Sequence, residues 1–425
     1  MKNRTSIAPL LAASLLLVVF SGCDVTSTTD DPSGSDIQSQ VQEALGSEVT
    51  DFQIQEISVS DVAGELESGE TTLPFVTPDN EVMEMTLNTQ PANLRPDSVD
   101  QGVLRGGDGD PEQVPLPPEA SFLLGNPDQG ELPGGVTILD EGQTMLRGIL
   151  TNSDFGVSYI QPVNQLLGTE EYPDQHVVYN GENTEPIEFS EEERPAPYDP
   201  PQSNAKSTPK TAPDVEGTTS VVLDGDVDFY NIDQSTVWRR QESTFLFAQL
   251  TTQYLEPNAS DDWKLTLKIA GQEVWVQGGP SESTGDALID RLEDPNYFLL
   301  NSLPDEQIHL FFVGYDIGGT LLGQAGGFGN SNGWGERSRD PQSVTDNHCF
   351  AEARQSQGWH VKVAVATHEV GHLLGGYHGN AISSGCSGSA CGRSIMSTPY
   401  TGSEDFFFSD ANDQSISNVI DAVLP

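Results

Sequence analysis

The chain has 425 residues, of which 35% are hydrophobic, and 65 acidic against 18 basic residues give it a formal net charge of −47. This length is sufficient for two domains of ordinary size, while the low hydrophobic content predicts exposed polar segments beside the folded part. The charge argues against nucleic-acid binding, because few cations are available to neutralise phosphates. A surface this acidic is typical of proteins that work at high salt, where screening relieves self-repulsion.

The N-terminus has the features of an export signal. Basic side chains precede a mostly apolar run over 7–20, which is too short to span a membrane. The sequence Phe20-Ser21-Gly22-Cys23 resembles a bacterial lipobox, in which Cys23 would be lipidated; cleavage without lipidation is the alternative, because Phe20 replaces the usual aliphatic residue. We expect a signal peptide over 1–22 and a flexible tether over 23–48.

Two segments with different compositions follow the tether. Residues 49–180 alternate short apolar runs with Pro, Gly and Asp, which predicts a β-rich domain. This domain contains no recognisable nucleophile, metal cluster or phosphate-binding loop. Residues 181–215 are rich in Pro, Glu, Ser and Thr and are predicted to form a linker.

From residue 216 to residue 425 the pattern predicts alternating strands and helices. The order β-α-β-β-α-β-β-α favours an α/β domain with a twisted mixed sheet. The strands are predicted at 220–223, 263–269, 273–276, 308–313 and 319–325, and the helices at 235–254, 286–292 and 359–374.

The most informative segment, at the end of the last predicted helix, is His368-Glu369-Val370-Gly371-His372-Leu373-Leu374-Gly375-Gly376-Tyr377-His378. His368 and His372 are four residues apart, so a helix places both imidazoles on one face. Gly375 tolerates a positive φ and is predicted to end the helix, which would return His378 to the same metal ion. Three histidines leave the fourth position of Zn²⁺ open for water, as in catalytic sites, and Glu369 lies where it could act as general base.

This pattern resembles the HExxHxxGxxH motif of the metzincin metallopeptidases. Met396 lies eighteen residues after His378, in the place of the family's Met-turn. The segment from Cys386 to Cys391 before it, and Phe408-Ser409-Asp410 after it, resemble the reprolysin/adamalysin (ADAM-like) group in particular. Segments of the first half resemble the prodomain of the same group: 146–150, 159–162 and 176–179.

The chain departs from the group's pattern at several positions. Gly379 follows the third histidine, where the adamalysins usually have Asp, so a metzincin of another subfamily is the alternative. No cysteine lies between Cys23 and Cys349, which excludes latency through a prodomain thiol. A second alternative, from a different class, is a catalytically inactive surface lipoprotein that only binds.

The resemblance implies a zinc-dependent endopeptidase made as a zymogen, in which zinc-activated water and the Glu369 base hydrolyse peptide bonds of proteins. The substrate would pair with a sheet edge that includes Leu321, Leu322, Gly323 and Gln324. The expected partners are therefore protein or peptide substrates of a monomer; the sequence leaves a calcium requirement open.

Export makes disulfides plausible, and the pairing is left open by the sequence. Cys386 and Cys391 would close a small loop beside the zinc site, while Cys349 could instead pair with either of them. We expect the protein to be a cell-envelope lipoprotein that contacts the membrane only through its N-terminal lipid, or to be extracellular once cleavage in the linker releases the catalytic domain.

Overall fold

The computed structural model describes residues 32–46, 49, 51–66, 70–78, 80, 82–90, 95, 99–106, 111–117, 121–127, 134–139, 145–152, 156–180, 215–252, 263–292, 307–318, 322–325, 348–355, 358–376, 395–396, 408, 412, 416–417 and 420. In these residues the chain is of the mixed α/β class, with two β-sheets and seven helices. None of these helices is both long and apolar enough to cross a membrane.

The first sheet is formed by the first half of the chain, as its alternating apolar runs predict. Every strand pair in it is antiparallel. Its strands are β1 (Phe52–Glu56), β2 (Glu70–Val76), β3 (Val82–Gln90), β6 (Ser121–Pro127), β7 (Gly134–Leu139), β8 (Met145–Asn152), β9 (Gly156–Pro162) and β10 (Gln175–Asn180), in the spatial order β1-β10-β9-β8-β7-β6-β3-β2. This half of the chain also contains three helices, α1 (Pro32–Leu45), α2 (Val59–Leu66) and α3 (Val163–Leu167).

The second sheet is mixed. Its strands are β4 (Gln101–Gly106), β5 (Glu112–Pro115), β11 (Val215–Gly225), β12 (Trp263–Gln277), β13 (Gln307–Val313), β14 (Gly323–Ala325) and β15 (His348–Glu352), in the order β14-β15-β13-β11-β12-β4-β5. The five central strands are parallel, and β14 and β5 are antiparallel at the two edges. Helices α4 (Val227–Ile232), α5 (Val237–Leu250), α6 (Gly285–Leu292) and α7 (Trp359–Leu373) belong to this half.

Strands β4 and β5 come from the first half of the chain, yet they extend the sheet of the second half. Strand β4 pairs in parallel with β12, with Val103 opposite Glu273. A contact between the side chains of Arg105 and Glu273 joins the two strands. Just before β4, Arg95 Nε lies 3.3 Å from Glu242 Oε1 on α5. All four of these charged side chains are buried, so the two halves share ion pairs as well as a sheet.

The first sheet also packs against the beginning of α7. The hydroxyl of Tyr179 lies 2.8 Å from His360 Nδ1, and Tyr159 contacts Tyr179 and the edge of Trp359. Residues of both halves therefore belong to one hydrophobic core. The predicted linker lies almost entirely outside the described residues, and the predicted domain boundaries stay a prediction.

Candidate metal centre

Helix α7 is buried in the interior of the molecule and contains the predicted metal ligands His368 and His372. An apolar run, Val363-Ala364-Val365-Ala366, is buried between the second sheet and α5, which makes this helix a central element rather than a surface one. His368, Glu369 and His372 follow in the same helix and are at most 4% exposed. Their positions are therefore fixed by the packing of the helix.

The helix ends in a hydrogen-bonded glycine turn. Gly375 has a φ of +94°, and its N–H donates to the carbonyl of His372. The N–H of Gly376 donates to the carbonyl of Gly371 over 2.9 Å, which completes a Schellman motif. The prediction that Gly375 ends the helix in a positive-φ conformation is confirmed, while His378 itself lies outside the described residues.

The two helical histidines face each other at the end of α7. His368 Nε2 and His372 Nε2 lie 3.0 Å apart. His368 Nδ1 lies 2.8 Å from the carbonyl oxygen of Ile395, and His372 Nδ1 lies 2.9 Å from that of Gly376. A carbonyl oxygen only accepts, so each Nδ1 must carry the proton and donate.

This arrangement favours a cation between the two rings. Once both Nδ1 atoms hold protons, the neutral imidazoles of His368 and His372 direct Nε2 lone pairs at the same point, and two lone pairs repel each other. One cation between them turns that repulsion into two bonds, and the backbone carbonyls act as the outer partners that fix a metal-binding tautomer. The two Nε2 atoms are 3.0 Å apart, which is less than the combined length of two Zn–N bonds of about 2.0–2.1 Å each. One zinc ion can therefore bind both nitrogens.

The remaining predicted ligand cannot be placed in this geometry. Within the part of the chain that the structure describes, no group of three His, Cys, Asp or Glu side chains is arranged to hold a metal ion. The described pair of histidines therefore fits two of the three predicted ligands. The third, His378, is only two residues beyond the last described residue of the turn.

Met396 packs against the last turns of α7, close to Gly371. It is fully buried, and a Cβ atom added at Gly371 would lie 2.7 Å from its Sδ atom and 2.7 Å from Cε1 of Phe408. Gly371 therefore allows the segment around Met396 to approach the helix backbone. The same approach brings the carbonyl of Ile395 to His368.

Strand β14 runs past the middle of α7 at the edge of the sheet. A Cβ atom added at Gly323 would lie 2.6 Å from Glu369 Oε1 and 2.7 Å from Val365 Cγ1. Gly323 pairs with Ala351 on β15, and among the described strands β14 has no neighbour on its other side. The carboxylate of Glu369 thus lies against an open sheet edge.

Further contacts fix this edge strand. The carbonyl of Leu322 accepts a hydrogen bond from the N–H of Glu352 over 2.7 Å. The side chain of Gln324 donates to Asp286 Oδ1 on α6 over 2.7 Å. Leu321 lies outside the described residues, so three of the four predicted substrate-binding residues are placed beside α7.

The cysteines are only partly described. Cys349 is a free, buried thiol, and burial together with the nearby charge of Glu369 raises its pKa well above the usual value. It is therefore neither a thiolate nor a disulfide partner in the structure. Cys386 and Cys391, which the sequence allows to form a disulfide, and the lipidation candidate Cys23 lie outside the described residues.

Sequence reasoning did not identify three groups that shape the site, nor the close approach of a fourth, the predicted edge residue Gly323, to Glu369. The carbonyls of Ile395 and Gly376 orient the histidines, but a backbone carbonyl carries no signal in a sequence. Gly371 and Gly323 provide the close approaches described above. The only signal in the sequence is the glycine itself. Gly371 directly precedes His372, and Gly323 lies within the predicted edge strand.

A comparison of the chain with protein-family models and with curated proteins finds no match.

Proposed function

We propose that the protein is an exported zinc-dependent endopeptidase of the metzincin type, resembling the reprolysin/adamalysin group. The observation that carries this proposal is the convergence of His368 Nε2 and His372 Nε2, 3.0 Å apart, with both Nδ1 atoms donating to backbone carbonyls. A pair of imidazoles fixed in this tautomer is what a metal site requires. The sequence around them supplies a third histidine and a carboxylate.

His368, His372 and His378 would hold the ion. Zinc, when bound, lowers the pKa of a coordinated water and polarises a substrate carbonyl. The rigidity of the two helical ligands supports this role, because α7 is buried and its last turn is closed by the Schellman motif. His378 would approach from the chain that leaves this turn.

Glu369 would act as the general base and then as the general acid. Its carboxylate would take a proton from the attacking water and deliver it to the leaving amine of the cleaved peptide. The side chain is 1% exposed and packs against Gly323. Its position next to the sheet edge supports this role, because a substrate there would present its carbonyl to the carboxylate.

The substrate would bind as an added antiparallel or parallel strand along β14. Peptide recognition at a sheet edge uses backbone hydrogen bonds. The carbonyl of Leu322 is bonded to Glu352 on β15, and hydrogen-bonded residues alternate along an antiparallel strand, so Gly323 is the residue that would offer its backbone groups on the side with no neighbour among the described strands. Main-chain recognition suits an extended protein segment, which supports an endopeptidase. The preference of the enzyme for particular substrate side chains would then depend on the residues that flank the edge strand.

The N-terminal part of the proposal rests on the sequence alone. Cys23 would carry the lipid that anchors the exported protein to the cell envelope, and the linker over 181–215 would be the cleavage site of a zymogen. Both segments fall outside, or at the border of, the described residues.

Cleavage of a generic unfolded protein substrate by the purified full chain, after proteolysis of the linker, tests the proposal. The change Glu369→Gln is expected to lower turnover by about 10²-fold or more while zinc stays bound. Glu171→Gln, at an exposed carboxylate before β10, is the matched control and should leave turnover unchanged. Substrate cleavage that persists in Glu369→Gln would contradict the assignment of the base, and a folded, zinc-loaded chain that cleaves nothing would favour the binding lipoprotein.

A further inference from the structure

A small cavity lies where the first half of the chain packs against the beginning of α7. Its volume is about 110 Å³, well below the several hundred Å³ of pockets for drug-sized ligands. It is lined by charged and polar side chains of both halves. The polar lining residues include Arg147, Gln161, Gln165, Arg240, Thr244 and Lys362.

Three cations converge on this cavity in a chain that has few of them. Arg147 comes from β8, Arg240 from α5 and Lys362 from α7, and the whole chain holds only 18 basic residues against 65 acidic ones. Three like charges in one small space repel each other. A concentration of positive charge at this position, in so acidic a protein, requires a counter-charge.

Within the described part of the chain, no carboxylate supplies this counter-charge to Lys362. Burial, followed by the charges of Arg147 and Arg240, lowers the pKa of Lys362 to about 7. Among the described residues no carboxylate offsets this effect, and none accepts a hydrogen bond from the Lys362 ammonium group. Burial and the neighbouring Arg240 likewise lower the pKa of Arg147 to about 10.

The two arginines are held in place by neutral groups. Arg240 donates to the carbonyl of Phe229 over 2.7 Å and lies over its ring, 4.4 Å from the centroid. Arg147 donates to the side-chain oxygen of Gln165 and lies over the ring of Trp359. The carboxylate of Asp233 acts on Arg240 and raises its pKa, against the larger lowering by burial. The two guanidinium groups are thus positioned in advance at the cavity, and Lys362 beside them is balanced by no described carboxylate.

The backbone adds positive potential to the same cavity. Gly358 and Trp359, the first residues of α7, line it, and no side chain caps this helix end. The N-terminus of a 15-residue helix carries a partial positive charge from its aligned peptide dipoles. Free N–H groups at such an end are ready donors to an anion.

We propose that this cavity is a binding site for a small tetrahedral oxyanion, phosphate or sulfate. Arg147, Arg240 and Lys362 would neutralise its charge, while Gln161 and Thr244 would complete its hydrogen bonds. The anion would link Arg147 of the first half to the two cations of the second half at the start of the helix that carries the metal ligands. This site does not depend on the proposed peptidase activity.

Binding is measured by calorimetric titration and thermal unfolding of the full chain with sodium sulfate, and separately with inorganic phosphate, at constant ionic strength set with NaCl. The variants are Lys362→Met and Arg240→Met. The control is Lys264→Met, which removes the same charge from a half-buried lysine on β12, outside the cavity. Sulfate stabilises folded proteins in general, so the decisive quantity is the difference between variants.

We expect one anion per chain, a higher unfolding temperature than in NaCl of the same ionic strength, and a Kd raised about tenfold or more by Lys362→Met and by Arg240→Met, because each loses a charged hydrogen bond. Lys264→Met should bind as the wild type does. Equal stabilisation of all variants by either anion, or no saturable binding to the wild type, would overturn the proposal. The second result would also be obtained if a carboxylate of the chain itself filled the cavity.

Discussion

Gly323 on β14 and Glu369 on α7 approach so closely that a side chain at position 323 would have to displace Glu369. A Cβ atom at Gly323 would lie 2.6 Å from Glu369 Oε1 and 2.8 Å from Glu369 Cγ, closer than non-bonded atoms approach each other. The edge strand therefore sets the position of the carboxylate that we propose as general base. In the proposed mechanism, substrate binding and proton transfer would depend on the same pair of residues.

The change Gly323→Ala should displace the Glu369 carboxylate while leaving both helical histidines in place. Because general-base catalysis depends on hydrogen-bonding distance, we expect turnover to fall by about 10²-fold with zinc affinity retained. Turnover and zinc content of the full chain measure this. Gly64→Ala, where an added Cβ atom meets nothing within 4 Å, is the control; a Gly323→Ala variant as active as this control would show that Glu369 needs no such space.

The second half of the chain should not fold without the first. A fragment covering residues 211–425 lacks β4 and β5, so it exposes the edge of β12 and leaves Glu242 and Glu273 buried without their arginine partners. We expect this fragment to be insoluble, whereas the full chain cut in the linker should elute as one complex. Gel filtration and circular dichroism measure both. A soluble 211–425 fragment with the unfolding temperature of the full chain would show that the first half is dispensable.

The ion pair between Arg95 and Glu242 offers a finer test of the contact between the halves. Both side chains are buried, at 7% and 0% exposure, and removing one partner of such a pair costs about 3–5 kcal/mol. We expect Arg95→Met to lower the free energy of unfolding by about this amount, and the double change Arg95→Met with Glu242→Leu to recover most of it. Denaturant unfolding of the full chain measures both; a single variant as stable as the wild type would mean that water reaches Glu242.

His360 should contribute less to the stability of the protein in mild acid than at neutral pH. Burial lowers its pKa from 6.5 to about 4, so between these values the unfolded chain binds more protons than the folded one. The contribution of His360 to the free energy of unfolding is therefore greatest above pH 6.5 and decreases towards pH 4, by up to about 3 kcal/mol.

Replacing the imidazole isolates its contribution to that pH dependence. His360→Gln keeps a hydrogen-bonding group near the hydroxyl of Tyr179 but does not titrate, so its stability should change less than that of the wild type between pH 6.5 and 4. Urea unfolding at a series of pH values gives both curves. Parallel curves would show that His360 does not carry the effect.

The sequence predicts the local features of the active helix well, because they depend on neighbouring residues. The helix predicted at 359–374 is α7, Trp359–Leu373, and Gly375 ends it. The strands predicted at 263–269 and 273–276 are instead one strand, β12, with a register irregularity near Gly271. The gap between the two predicted strands is therefore a bulge within one continuous strand.

The features that the sequence does not predict depend on residues far apart in the chain. Strand β4 pairs with β12, about 170 positions away in the sequence. Neither strand's sequence indicates which strand it pairs with. Strand β15, His348–Glu352, was missed because its short apolar run gives no clear alternation. The cation cluster of Arg147, Arg240 and Lys362 is likewise assembled only by tertiary packing.

The zinc content of the purified full chain is the measurement that tests the central claim most directly. After removal of metals with a chelator and addition of zinc, elemental analysis should find one zinc ion per folded chain. His372→Ala should weaken zinc binding by about 10²-fold or more, because one ligand and its fixed tautomer are lost. A folded wild-type chain that takes up no zinc, or a His372→Ala variant that binds it as tightly as the wild type, would contradict the assignment of His368 and His372 as metal ligands.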